Sequence, residues 1–279
     1  MIASFRAETL KMRKRWANWI LLLVLLAVML LIGYVISYVV LTHPPKRFQS
    51  EVPASVLKRE VFPENIVPNV LAGMGTIGAA IMIILGGLNT ASEYGWATVQ
   101  TILIQKPGRV AVLLGKLLAL VLASLLISVV VVAVAALASY VLATVDGTSS
   151  VWPTADVLSR GFAALWFQLL VWTMFGMFLG LAFRSTAAAI GGGLTYLFVI
   201  ETLVARLFSN TAGFKEVLKF LPGLNAAGIN ATFPFSFRNP NAATTVLVSA
   251  TRGTITLVIY LLLFTILAAL IFRRRDVGA

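Results

Sequence analysis

Two carboxylates of this chain lie beside or within apolar sequence, where an acid is unusual. Glu93 belongs to a short polar stretch between two long apolar runs, and Glu201 lies inside another apolar run, five residues before Arg206. A charged side chain within the hydrocarbon layer of a membrane is costly, and such residues commonly mark functional sites. Glu201 and Arg206 are therefore candidates for a charge along a pathway or for a structural charge that pairs with another helix.

The rest of the sequence offers little for catalysis. His43 is the single histidine and has no second metal-type ligand at helical spacing, and the chain contains no cysteine. The metalloprotease pattern H-E-x-x-H and the hydrolase pattern G-x-S-x-G do not occur. The phosphate-binding pattern G-x-x-x-x-G-K-[ST] is missing too, because Gly115-Lys116 is preceded by Val110 at the first glycine position and followed by Leu117. We expect no catalytic residue, no metal and no cofactor in this chain.

Composition indicates that these residues are carried by membrane helices. The chain has 279 residues, of which 59% are hydrophobic and 11% are charged. Soluble domains carry about a quarter charged residues. The formal net charge of +12 is explained by basic flanks of membrane helices, and no soluble basic domain is present that would bind nucleic acid.

The apolar residues form runs that are long enough to cross a bilayer, which takes roughly 20 residues each. The first run is longer than the core of a signal peptide, and no small-residue cleavage site follows it, so we expect it to stay as an anchor. The sequence predicts an all-α membrane protein with a single transmembrane domain over 1–279 and six spans, at 17–41, 70–88, 110–145, 162–183, 187–207 and 255–272.

Two segments outside the spans have their own pattern. Residues 1–16 are basic, with aromatic and apolar residues on one helical face, which predicts an interfacial helix; the alternative is a plain positive flank that orients the first span. Residues 209–254 contain apolar stretches too short to cross, divided by Pro222-Gly223, which predicts re-entrant or interfacial helices. The pair Gly176 and Gly180 predicts close helix packing, within the chain or between subunits.

Six spans place both termini on the same side. Basic residues predominate in the segments that would then face the cytoplasm, where the acids are Glu8, Glu93 and Asp276, whereas acids nearly balance the bases in the other loops. The positive-inside rule therefore predicts that both termini are cytoplasmic.

The polar stretch between the second and third spans must lie at a membrane face, since its charges are too costly in hydrocarbon. Residues 92–105 are predicted to form a short amphipathic helix, in which Ser92 would be the N-cap and Pro107-Gly108 would end it. Such a helix on the cytoplasmic side offers a contact surface to a soluble partner.

This stretch resembles a known family. Its residues Glu93-Tyr94, Thr98, Leu103, Lys106-Pro107, Arg109 and Gly115-Lys116 look like the signature of type-2 ABC exporter permeases. The opening helix, the link at Arg184-Ser185-Thr186 and the short helices between the fifth and sixth spans are similar to that family as well.

The resemblance implies a function for the whole chain. It would be the permease subunit of an ATP-driven exporter, in the prokaryotic plasma (inner) membrane. It would work with two copies of a separate ATP-binding subunit, which bind ATP and Mg, and with a second permease, identical or paralogous. Residues 92–105 would be the coupling helix that docks onto the ATP-binding subunit through Glu93, Tyr94, Trp96 and Gln100. The first and fifth spans, with Gly191 to Gly193, would form the interface between permeases.

Two other functions stay open from the residues themselves. An ATP-independent secondary transporter or channel would be indicated by inverted repeats with interrupted helices, and an intramembrane lipid-modifying enzyme by polar residues converging on one pocket.

Overall fold

The computed structural model describes residues 2–42, 58–95, 108–208, 211, 213–235 and 247–274. All regular elements in these residues are helices. Six of them are long and apolar enough to cross a membrane, as the sequence predicts, so the chain is an integral membrane protein. The six spans are Trp16–Thr42, Pro63–Tyr94, Val110–Val145, Ala155–Phe183, Thr186–Val204 and Ala250–Arg273, called spans 1 to 6 below.

Shorter helices flank these spans. The N-terminal helix is Ile2–Lys14, and a 3₁₀ turn, Lys58–Val61, precedes span 2. Phe214–Leu218 and Pro222–Asn230 lie between spans 5 and 6, and the latter is called the distal helix. Helices are thus present in the regions where interfacial and re-entrant segments are predicted, and their placement relative to a membrane stays a prediction.

Span 2 is longer than the predicted 70–88 at both ends. It starts with a 3₁₀ turn at Pro63–Asn65, and its last stretch, Ala79–Gly95, continues through polar residues that are buried against the rest of the protein. Ser92 lies inside this helix, so the N-cap predicted there is wrong. The hydropathy pattern ends the span early because it assumes that polar side chains leave the membrane, whereas here they enter a protein interior.

Span 4 begins at Ala155 and not at the predicted 162. Thr154 is its N-cap, with its hydroxyl accepting from the Val157 amide at 3.5 Å. The first turns are polar and exposed, including an ion pair between Arg160 and Asp156, so they lack the apolar signal that a span prediction depends on.

Spans 2 and 4 form the centre of the molecule. In the most apolar stretch of each span, 61% of span 2 and 72% of span 4 is buried, against 17% in spans 1, 5 and 6. Glycines allow this packing: a Cβ on Gly86 would lie 2.2 Å from the Thr173 carbonyl oxygen, and one on Gly176 would lie 2.2 Å from the Ile83 carbonyl oxygen. Gly176 and Gly180 therefore allow close helix packing within the chain, which is one of the two roles that the sequence predicts for them.

Three spans contain a π-helical stretch. These stretches are Met29–Ile36 in span 1, Met74–Gly78 in span 2 and Tyr196–Val204 in span 5. A π-helical stretch changes the register of the side chains that follow it and is frequent at functional sites. The one in span 5 contains Glu201.

The two ends of the bundle are named from the contacts between spans. The proximal end is where span 1 begins, span 2 ends and span 3 begins, and the distal end is where spans 1 and 3 end and span 2 begins. Lys11 and Lys116 meet Glu93 at the proximal end, and Tyr38 and Lys58 meet Asp146 at the distal end.

Candidate functional site

The N-terminal helix lies directly on the start of span 3. A Cβ on Gly115 would be 2.7 Å from the Ser4 Cβ and 2.8 Å from the Phe5 backbone nitrogen, so only glycine lets the two helices approach this closely. Gly115 therefore determines how near the neighbouring Lys116 comes to the N-terminal helix.

Four charged side chains meet at this contact. Glu8 and Lys11 come from the N-terminal helix, Glu93 from the end of span 2 and Lys116 from the start of span 3; we call them the proximal ionic cluster. The side chains of Glu8 and Glu93 are each 8% exposed and that of Lys116 is 3% exposed. A site this dry tolerates charges only when they are paired and hydrogen-bonded.

The pairing within the cluster forms a closed ring. The Lys116 Nζ lies 2.8 Å from the Glu93 Oε1 and 3.1 Å from the Glu8 Oε2, and it also donates to the Asn89 carbonyl oxygen at 3.2 Å. Lys11 closes the ring, with its Nζ 2.8 Å from the Glu8 Oε1 and in contact with the Glu93 Oε1. Two positive and two negative charges leave no net charge in the ring.

A second layer of hydrogen bonds fixes the bend between the N-terminal helix and span 1. Asn18 and Asn89 form a reciprocal amide pair, in which Asn18 donates at 3.2 Å and Asn89 donates at 2.9 Å. Arg15, in the bend, donates to the Leu88 carbonyl oxygen at 3.0 Å and to the Ser92 hydroxyl at 2.8 Å. The polar residues at the end of span 2 are thus occupied by the N-terminal segment.

Tyr94 connects the same end of span 2 to the turn between spans 4 and 5. The Arg184 guanidinium carbon lies 5.6 Å from the centre of the Tyr94 ring, within the range of a cation–π contact. Arg184 has a left-handed backbone conformation with φ 53°, and Ser185 caps span 5 by accepting from the Ala188 amide at 3.4 Å. The proximal ends of spans 2 to 5 and the N-terminal helix are therefore joined.

The four residues predicted to contact an ATP-binding subunit are only partly described. Glu93 is buried in the proximal ionic cluster and Tyr94 is half-buried beside Arg184. Trp96 and Gln100, with the rest of the predicted coupling helix, lie outside the described residues. The structure thus gives Glu93 and Tyr94 partners within the chain, directly before the segment that is predicted to bind a partner protein.

Glu8 and Lys116 were missed as site residues by the sequence analysis. The available signals were a single acid within the basic N-terminal helix and a single lysine near the start of a long apolar run. The pairing itself joins residues 108 positions apart in the chain, which no local pattern reveals.

Glu201 is held near the distal end of span 5 by neutral donors. The Tyr196 hydroxyl donates to the Glu201 Oε1 at 3.0 Å, and the Gly223 amide donates to the Oε2 at 2.9 Å. Gly223 is in the first turn of the distal helix, whose free amides and dipole attract a carboxylate. Arg206 continues the helix, and its side chain is outside the described part of the chain, so its role as a candidate charge stays a prediction.

Other spans hold the same distal segment. Tyr260 of span 6 donates to the Phe220 carbonyl oxygen at 2.9 Å, just before the distal helix. At the other end of that helix, Gln168 of span 4 donates to the Asn230 Oδ1 at 2.8 Å. Glu201 and Gln168 thus attach this short helix to spans 5 and 4, and Tyr260 attaches the segment just before it to span 6.

A further ion pair connects the 3₁₀ turn before span 2 to the distal end of span 3, and a hydrogen bond from Tyr38 adds the distal end of span 1. The Lys58 Nζ is 2.5 Å from the Asp146 Oδ1, which also accepts from the Tyr38 hydroxyl at 3.3 Å. Burial acts to raise the pKa of Asp146, but the hydrogen bonds from Lys58 and Thr148 outweigh it and hold that pKa below its usual range.

These sites are suited to holding elements together and to transmitting displacement. Each of their carboxylates accepts from at least two donors, and within the described residues no group of three or more His, Cys, Asp or Glu side chains is placed to bind a metal.

The fold and these sites define a class of protein. It is an all-helical integral membrane protein with six spans, with buried ion pairs at one end and a short hydrogen-bonded helix near the other. More particularly, the chain belongs to the family described as "Protein of unknown function (DUF2705)", whose model matches residues 55–278. No curated protein matches it.

Proposed function

We propose that this chain is the permease subunit of an ATP-driven exporter of the type-2 ABC class. In this proposal it forms the translocation pathway with a second permease, identical or paralogous. Two copies of a separate subunit bind ATP and Mg and drive the cycle from the cytoplasmic side of a prokaryotic plasma membrane.

The observation that carries the proposal is the proximal ionic cluster. It joins the N-terminal helix, the end of span 2 and the start of span 3 through buried ion pairs between Lys116, Glu8 and Glu93. The polar stretch between spans 2 and 3 starts and ends on this joint. A force applied to that stretch by a soluble subunit would move three elements together, because separating them would leave buried charges unpaired.

The orientation in the membrane supports the same assignment. The exposed basic residues Arg6, Arg13 and Lys14 lie at the proximal end, and the positive-inside rule assigns that end to the cytoplasm. Of residues 92–105, the part from 96 onward would then be accessible to a cytoplasmic ATP-binding subunit. We assign the docking contact to Trp96 and Gln100. Glu93 and Tyr94 attach residues 92–105 to the helix bundle.

Isolation of the chain from its native membrane in mild detergent, with mass spectrometry of the associated proteins, tests the proposal. We expect a stoichiometric soluble protein with a phosphate-binding loop. A clean preparation without any ATPase would contradict the proposal and favour an ATP-independent secondary transporter, for which Glu201 would be the first residue to test.

A pair of variants tests the docking contact. Trp96→Ala with Gln100→Ala should reduce the amount of ATP-binding subunit that copurifies, while the yield of the permease stays the same. The matched control is Trp152→Ala, because Trp152 is 44% exposed in the distal turn before span 4. Equal recovery of the ATP-binding subunit from both variants would remove Trp96 and Gln100 from the proposed contact.

A further inference from the structure

The basic residues of the N-terminal segment are divided between two environments. Lys11 and Arg15 are directed into the protein, where Lys11 pairs with Glu8 and Glu93 and Arg15 donates to Leu88 and Ser92. Arg6, Arg13 and Lys14 are exposed. The sequence alone shows five basic residues among the first sixteen and does not reveal this division.

The exposed face of the N-terminal helix carries positive charge and apolar surface only. Arg6, Arg13 and Lys14 fall within an arc of about 100° on the helix, with Leu10 between them. Leu10 is 47% exposed and Ile2, at the edge of this face, is 67% exposed. The one acid of the helix, Glu8, is buried on the opposite face.

Two exposed tryptophans directly follow this face. Trp16 is 80% exposed and Trp19 is 53% exposed, at the start of span 1. Tryptophan is enriched at the level of the lipid headgroups, so the two residues mark where span 1 enters the membrane. The Trp19 Nε1 donates to the Arg13 carbonyl oxygen at 2.7 Å, which holds the end of the N-terminal helix at that level.

We propose that the exposed face formed by Arg6, Leu10, Arg13 and Lys14 binds the headgroups of anionic phospholipids in the surrounding leaflet. The guanidinium and ammonium groups would pair with lipid phosphates, and Ile2 and Leu10 would enter the boundary between headgroups and acyl chains. The proposal does not depend on what the chain transports or on whether ATP drives it.

A lipid surface fits this face better than a soluble protein does. The apolar side chains alternate with the cations along one stripe and continue into the exposed tryptophans and the apolar surface of span 1. That surface is continuous with the part of the chain that must contact acyl chains. A docking site for a soluble protein would end before Trp16.

Lipid retention by the purified full chain tests the proposal. The protein is equilibrated in mild detergent with equal amounts of phosphatidylglycerol and phosphatidylcholine, and the retained lipids are counted by native mass spectrometry. We expect a preference for phosphatidylglycerol that falls at least about tenfold in Arg6→Gln/Arg13→Gln/Lys14→Gln, because each basic residue near an anionic surface strengthens binding about fivefold. Added salt at about 0.5 M should weaken the wild-type preference as well.

Two further variants make the result specific. The control Arg160→Gln/Lys215→Gln/Arg252→Gln removes three exposed basic residues from the distal end and should keep the preference. The charge-conserving variant Arg6→Lys/Arg13→Lys/Lys14→Arg should keep it too, which distinguishes a charge effect from damage to the fold.

Two results would overturn the proposal. One is an unchanged ratio of retained phosphatidylglycerol to phosphatidylcholine in the glutamine variant, and the other is an equal loss of the preference in the distal control. If the ratio is unchanged but the glutamine variant loses a soluble protein that copurifies with the wild type, the face belongs to a protein partner.

Discussion

The two ends of the molecule hold their carboxylates in different ways. At the proximal end, Glu8 and Glu93 accept from the ammonium groups of Lys11 and Lys116. Toward the distal end, Glu201 accepts from the Tyr196 hydroxyl and from the Gly223 amide. The first arrangement balances charge with charge, and the second uses the dipoles of neutral donors.

The difference has an energetic consequence. Removing one member of a buried ion pair leaves an uncompensated charge in a dry site, which costs about 3–5 kcal/mol. Removing one neutral donor or its acceptor costs about 1–3 kcal/mol at a buried position. The proximal end should therefore behave as a permanent joint, whereas the contact of Glu201 with the distal helix can open at a smaller cost.

The largest effect is expected from Lys116→Met. The substitution leaves Glu8 and Glu93 sharing Lys11 alone, so we expect a loss of about 3–5 kcal/mol in the free energy of unfolding. Thermal unfolding in mild detergent measures it, with the exposed Lys215→Met as the control. Adding Glu8→Gln to Lys116→Met restores neutrality and should recover more than half of the loss. A double variant as unstable as the single one would show that packing, and not charge balance, holds the joint.

Replacing a glutamate by glutamine at each end compares the stability contributions of the two ends directly. Glu93→Gln removes a charge that faces two lysines and should lower the free energy of unfolding by about 3 kcal/mol. Glu201→Gln keeps an acceptor oxygen for one of two neutral donors and should lower it by about 1 kcal/mol. Both variants are measured by the same thermal assay. Equal losses would contradict the distinction between the two ends.

The smallest effect is expected at the distal ion pair. Asp146→Asn should lower the free energy of unfolding by at most about 1 kcal/mol, since Lys58 is partly exposed. The pKa of Asp146 is lower in the folded protein than its usual value. Its contribution is therefore fully present above the usual aspartate range and is lost as the pH falls below that range. The difference in unfolding temperature between wild type and variant should shrink on acidification. A difference that persists at low pH would assign the effect to something other than this ion pair.

The six spans could be predicted from sequence because apolar runs report directly on contact with lipid. The proximal end of span 2 could not, since Asn89, Ser92 and Glu93 are polar yet buried, with partners in the N-terminal segment, span 1 and span 3. Glu93 and Glu201 were found as unusual residues, but their partners were not. Lys116 and Gly223 reach them through packing between elements far apart in the chain, which neither hydropathy nor helical spacing encodes.

The two-residue turn at Arg184-Ser185 fixes the proximal end of span 5, so that a tilt of this span would displace mainly its distal end. The span has 19 residues, which corresponds to a length of about 28 Å, so a tilt of about 10° about that turn would move its distal end by about 5 Å. Glu201 lies near the moving end, while Tyr260 and Gln168 hold the distal helix from spans 6 and 4. A small rotation beside the joined proximal ends would thus either pull Glu201 away from Gly223 or drag the distal helix along with it.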